Sequence, residues 1–196
     1  MLSVKKCGKD LIYKIQMKIA VIGAGNGGQA ISAYLSIQGH EVNLYHYRQE
    51  KIDNLLKKNK SIRLIGAIEG EGILNCISTD LEDVVEGTEV IMVTTTANVH
   101  AHLATKLSSI LEDNQVVLLN PGRTGGALEF LQTIRKNGCK RNVYVAEAQT
   151  LVYACRIVED GLVNVIGVKD KVLISSVNSL RTQYVLNKVK PLYTCF

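Results

Sequence analysis

Lys18-Ile-Ala-Val-Ile-Gly-Ala-Gly-Asn-Gly-Gly28 is the stretch on which the reading of this chain turns. An apolar run leads straight into Gly23-x-Gly25-x-x-Gly28, and helical periodicity begins at once with Ala30, Ile31, Tyr34 and Leu35 on one face. A strand, a tight glycine turn and a helix in that order form the dinucleotide-binding fingerprint in its required context. Each glycine has a physical reason. Gly23 lets the chain leave the strand sharply, Gly25 lets backbone approach a pyrophosphate, and Gly28 lets the helix pack on the strand. The helix N-terminus then offers unpaired N–H groups and the positive end of its dipole to phosphate oxygens. Gly23, Ala24, Gly25, Asn26, Gly27 and Gly28 are therefore expected to bind cofactor.

Working outward, apolar runs alternate with helical patterns, which predicts an α/β fold with a Rossmann-type, doubly wound, mostly parallel sheet. The expected strands are Lys18–Ile22, Glu41–Tyr45, Glu89–Thr94, Gln115–Leu119 and Asn142–Ala146; short strands at Ile62–Ile65 and Gly72–Ile77 lie between them. Glu89–Thr94 is almost wholly apolar, as a strand covered on both faces requires. Helices are expected after each glycine-rich or polar break, at about Lys51–Lys58, from Val99 to Leu111, and over Gly126–Asn137. Thr79-x-x-Glu82 reads as a capping box for a brief helix. From Leu151 the pattern changes to short β segments, Leu151–Cys155, Leu162–Val168 and Val172–Ser175, joined by turns such as Asp160-Gly161. These read as antiparallel strands added to the sheet after about residue 150. A last helix is expected over Ser179–Val189. Residues 1–16 read as a leader or surface arm, and 17–196 as the dinucleotide-binding domain.

Composition narrows the class of partner. Of the formal charge of +5, a net +3 sits in residues 1–16 (four lysines, one aspartate), which leaves about +2 for the rest. That is too little to argue for nucleic acid. No run reaches the ~18 apolar residues that a membrane-spanning helix needs, and residues 1–10 are broken by charges, unlike a signal peptide. Five scattered cysteines without C-x-x-C spacing read as reduced thiols of a cytoplasmic protein. Cys155 as a catalytic thiol is a weaker alternative to a buried, inert one. His100-x-His102 is not read as a metal site, because positions two apart on a helix diverge and no further ligand is spaced to complete a set. No metal is expected.

Cofactor choice is read at the end of the second strand, Leu44-Tyr-His-Tyr-Arg-Gln-Glu50. NAD sites place an acidic residue there for the ribose 2′-hydroxyl. His46 stands at the strand tip instead, and Arg48 is placed for a 2′-phosphate. The residues favour NADP(H) over NAD, with Glu50 as the candidate for a ribose hydroxyl. Thr94 and Thr95 end a buried strand where ligands of such sheets bind, and Asn120-Pro-Gly-Arg-Thr-Gly-Gly126 ends the next. Arg123 is a candidate for a substrate carboxylate or phosphate, and Glu147 ends the strand beyond.

Three segments together, residues 18–28, Leu119-Asn-Pro-Gly-Arg-Thr-Gly-Gly-Ala-Leu-Glu-Phe130 and Glu147-Ala-Gln-Thr-Leu-Val-Tyr-Ala-Cys-Arg156, resemble the N-terminal domain of the opine dehydrogenases, the octopine/nopaline group. The resemblance runs over roughly residues 17–193. It implies an oxidoreductase that condenses an amino acid with a 2-oxo acid and reduces the imine with hydride from NAD(P)H. It also implies that Gly23, Gly25, Asn26, Gly28, Thr94 and Thr95 bind cofactor and that Asn120, Pro121 and Glu147 flank the nicotinamide. Members of that family continue into a helical domain that carries a catalytic His–Asp pair, and no histidine follows His102 here. The expectation is that these residues bind NAD(P) without making opines alone, with no catalytic residue in the chain, and that an exposed docking face can drive homodimerisation. The alternatives are a ketopantoate reductase or glycerol-3-phosphate dehydrogenase relative, and a non-catalytic nucleotide sensor.

Overall fold

A computed structural model describes residues 16–193 and 195–196. Residues 1–15 of the expected arm lie outside the described residues. Seven strands form the main sheet: β1 (Lys18–Ile22), β2 (Glu41–Tyr45), β5 (Cys76–Ser78), β6 (Val90–Val93), β7 (Val116–Leu119), β8 (Tyr144–Ala148) and β11 (Ile174–Ser176). Their order is β11-β8-β7-β6-β1-β2-β5, and every pairing is parallel except that of β11 with β8. The chain is thus Rossmann-like, as its strand alternation predicts. Period-two alternation divides the core. Ile19, Val21, Met92, Val116 and Leu118 pack on one face, and Ala20, Ile22, Ile91, Val93, Val117 and Leu119 on the other. Both faces are covered, which is why these strands are continuously apolar.

A second sheet has the order β4-β3-β10-β9, built from β3 (Ser61–Gly66), β4 (Gly70–Ile73), β9 (Tyr153–Glu159) and β10 (Leu162–Val168). The antiparallel strands expected after residue 150 are present but divide between sheets. Only β11 joins the main sheet, while the β9–β10 hairpin sets β10 parallel to β3. Helix α1 (Asn26–Ile37) lies between the two sheets, and eight of its twelve residues are buried. The approach is close. A Cβ at Gly72 of β4 would stand 2.5 Å from the Ala33 carbonyl oxygen of α1, so only glycine fits there. The Gly72–Ile77 run, expected as one strand, is split: it ends β4 and starts β5, with Asn75 between them donating its N–H to Val42.

The remaining helices are α2 (Gln49–Leu56), α3 (Leu81–Val85), α4 (His100–Leu107), α5 (Gly126–Lys136) and α6 (Thr182–Val189). The expected Thr79 capping box is corrected by one residue. Asp80 caps α3, accepting the Glu82 N–H at 2.9 Å, because a carboxylate one residue nearer the helix reaches the free donor. Among the described residues, no helix is long and apolar enough to cross a membrane.

Candidate functional site

The strand order reverses direction between β1 and β6, so the loops leaving their C-terminal ends part and open a crevice. The glycine loop lines one side. Gly23 has φ +113° and donates its N–H to Tyr45 at 2.9 Å. The Thr94 hydroxyl lies 3.1 Å and 3.0 Å from the carbonyls of Ile22 and Gly23, so Thr94 braces the loop from β6. Gly28 is packed on the loop backbone, and Leu151 fills the space over Gly27. Gly25 differs: it is exposed, and nothing lies within 4 Å of where its Cβ would stand. No side chain caps α1 and no acid occupies its first turn, which leaves its terminal N–H groups and dipole directed at the open space beside Gly25. Asn26 faces away from that space in part, since its Oδ1 accepts the Ile157 N–H at 2.8 Å. The Cys155 thiol lies 3.3 Å from the Asn26 carbonyl, and burial raises its pKa, as expected of an inert cysteine.

From Ala24 and Gly25 an open cavity of ≈ 460 Å³ leads to His46, Tyr47, Arg48, Glu50, Lys51 and Asn54. Asp160, from the turn between β9 and β10, lines the same cavity. Sequence order gives no sign of this residue. Its carboxylate accepts from Gln29 Nε2 and Asn54 Nδ2, both at 3.1 Å, and pairs with Lys51. Burial acts to raise its pKa, but the bonds from Lys51, Asn54 and Gln29 prevail and hold it below the ordinary aspartate value. Gln29, 0% exposed, also reaches the Ala24 carbonyl at 3.2 Å and accepts the Gly161 N–H at 2.9 Å. One buried amide therefore ties the glycine loop to the hairpin. Arg48 lies over Tyr47, with its Cζ 5.2 Å from the ring centroid and its Nε donating to the Tyr47 hydroxyl at 2.7 Å. Burial lowers the pKa of His46, whose Nδ1 accepts the Arg48 N–H at 3.2 Å.

The other end of the crevice gathers the ends of β6, β7 and β8. The Thr95 hydroxyl, His100 Nδ1 and both polar atoms of the Asn120 side chain are buried with no hydrogen-bond partner among the described residues. His100 Nε2 lies 3.3 Å from the Thr95 carbonyl. Burial lowers the His100 pKa despite that carbonyl and the nearby Glu129 and Glu147, so a neutral imidazole is favoured. Glu147 accepts the Ala127 N–H at 2.8 Å, which places an anion at the N-terminus of α5. Gly122 follows Pro121 in the cis Asn120–Pro121 turn and packs on Glu147 so closely that a Cβ would stand 2.2 Å from Glu147 Cβ. Glu147 lines a cavity of ≈ 760 Å³ with Arg123, Gln149 and Ser175. Arg123 is exposed and held at φ +61°, in the left-handed region.

Residues 18–148 match the family model described as NAD-dependent glycerol-3-phosphate dehydrogenase N-terminus. An opine dehydrogenase of Arthrobacter sp. (strain 1C) is 32% identical over 150 residues, which is 76% of this chain and 42% of that protein. A glycerol-3-phosphate dehydrogenase [NAD(P)+] of Thermoanaerobacter sp. (strain X514) is 24% identical over 130 residues, 66% of this chain and 39% of that protein. A solved octopine dehydrogenase with NADH and pyruvate superposes with a TM-score of 0.73 at 22% identity, covering 90% of this chain and 49% of that one. The chain thus spans less than half the length of each of these proteins.

Proposed function

We propose, for a chain that belongs to the NAD-dependent glycerol-3-phosphate dehydrogenase N-terminus family, that the crevice binds NADP(H) or NAD(H) and that the chemistry served is of the opine type. In that chemistry an amino acid and a 2-oxo acid are joined reductively, and the bound nicotinamide supplies the hydride. The observation that carries the binding reading is Gly25: exposed, with open space at its missing side chain, at the uncapped N-terminus of a twelve-residue helix. The pyrophosphate would lie against Gly23–Gly28, where N–H groups and the helix dipole stabilise its charge without any lysine or arginine. The adenosine half would reach toward His46–Lys51. The nicotinamide half would approach Thr95, Asn120, Pro121 and Glu147, where buried polar atoms still lack partners and so favour a ligand that supplies them. Arg123, beside Glu147, suits the carboxylate that both an amino acid and a 2-oxo acid carry.

The 32% identity to an opine dehydrogenase supports that reaction over the reduction of dihydroxyacetone phosphate. The match to the glycerol-3-phosphate dehydrogenase family model keeps the latter as the second reading. The full 196-residue chain is expected to quench or enhance NADPH and NADH fluorescence saturably. It is expected to show no sustained oxidation with pyruvate plus amino acids. Failure to bind either dinucleotide would refute the reading, and turnover with dihydroxyacetone phosphate would favour the second one.

Arg48 gives a sharper test of cofactor choice. Arg48→Ala should weaken NADPH binding by about tenfold, the size of one lost charge-assisted contact, and leave NADH nearly unchanged. Equal loss for both dinucleotides would remove Arg48 as the 2′-phosphate partner.

A further inference from the structure

We infer that Asp160, carried on the β9–β10 turn, and its ion-pair partner Lys51 set the balance between a 2′-hydroxyl and a 2′-phosphate on the adenosine ribose. The inference rests on the proposal that the crevice binds a dinucleotide. Strand β2 ends at Tyr45 without a carboxylate, and the tip positions that follow carry His46, Tyr47 and Arg48. Besides Glu50, which also lines the cavity, the fold brings a second acid from elsewhere. Asp160 enters the same cavity from a hairpin 115 positions downstream of Tyr45.

Its placement is fixed by three elements. Gln29 comes from α1, Lys51 and Asn54 come from α2, and the hairpin itself is anchored where Gly161, at φ +84°, donates its N–H to Gln29. The Asp160 side chain retains 16% of its exposure and that of Lys51 26%, so each keeps a face on the cavity. An ionised carboxylate there accepts from a ribose hydroxyl and repels a phosphate dianion. It also holds the Lys51 ammonium in a pair, which withdraws that cation from a phosphate. Arg48, exposed and lining the same cavity, acts in the contrary sense. The two residues therefore make a balance, with Arg48 favouring the phosphate and Asp160 opposing it.

Asp160→Asn keeps the shape and the bond from Gln29 but removes the charge and releases Lys51. In the full chain, titrated with NADH and NADPH by fluorescence, the ratio Kd(NADH)/Kd(NADPH) should rise by about tenfold or more. Lys51→Gln should lower the same ratio, because it removes a cation and leaves the carboxylate unpaired. Opposite shifts in one ratio cannot come from a general loosening of the hairpin, which would weaken both dinucleotides together. An unchanged ratio in both variants, or shifts of the same sign, would overturn the inference while leaving dinucleotide binding intact. If the unsubstituted chain binds neither dinucleotide, the proposal beneath it fails, and this one with it. Should Asp160→Asn not fold, the Lys51→Gln ratio alone decides.

Discussion

Gly28→Ala is expected to abolish dinucleotide binding and to lower the melting temperature sharply. A Cβ at position 28 would lie 1.6 Å from the Gly23 carbonyl oxygen and 2.8 Å from the Thr94 hydroxyl oxygen. Neither neighbour can give way. The first is backbone of the same loop, and the second is held against β1 by its contacts to Ile22 and Gly23. The loop must open or α1 must lift from the sheet, and either change dismantles the loop proposed to hold the pyrophosphate. Overpacking of a tight core costs about 1–3 kcal/mol and sometimes more; a clash with backbone at this range belongs at the upper end. Gly25→Ala is the matched control. Gly25 has φ −79° and open space around it, so alanine there should melt with the unsubstituted protein. Binding should still fall, because the added methyl occupies the approach to the loop. A Gly25→Ala protein that binds as well as the original would show that the pyrophosphate lies elsewhere.

Gln29→Leu should cost about 2–4 kcal/mol, although leucine is of similar size and better suited to burial. Gln29, itself fully buried, donates to Ala24 and Asp160 and accepts from Gly161. Three hydrogen bonds contribute about 1 kcal/mol each, and the Gly161 N–H left without an acceptor adds the cost of a buried unmet donor. The loss should be localised. Amide hydrogen exchange at Gly161 and along the β9–β10 turn should accelerate more than in β1 or β6. Uniform acceleration, or none, would mean that the hairpin is held by its pairing with β3 and not by this amide. The Asp160-dependent selectivity should weaken in the same variant, since Gln29 helps to aim that carboxylate.

How much of this is legible in the residues differs by element. β1, β6 and β7 read directly, because a strand buried on both faces must be an unbroken apolar run. β10 is recognisable at its true bounds, Leu162–Val168, yet its sheet is not. Alternation announces a strand but not its partner. The partner is chosen because α1, buried nearly all round, requires a second cover, and β3, β4, β9 and β10 supply it. The break at Asn75 was hidden for a related reason. Gly72–Ile77 has strand-like content throughout, and only the geometry of α1 against β4 directs its two ends into different sheets.

At the candidate site, the glycine loop, Thr94 and Arg48 follow from local sequence, since a turn, a strand end and a strand tip are local objects. Gln29 sits next to the fingerprint but looks like any polar residue of an amphipathic helix. Its importance comes from burial that only the hairpin creates. Asp160 reads as a turn residue, and it is one; its second role depends on where that turn lands.

The amino-acid sequence by itself determined the parallel sheet, the glycine turn at the head of α1 and the strand ends that frame the crevice, because periodicity and backbone freedom are encoded within short windows. Tertiary structure alone decided that Asp160 enters the cavity beyond β2, that Asn26 is partly spent on β9, and that Gln29 joins loop to hairpin. These are pairings between residues 106–132 positions apart. Such contacts form only when packing brings remote segments together, and no short-range pattern specifies them.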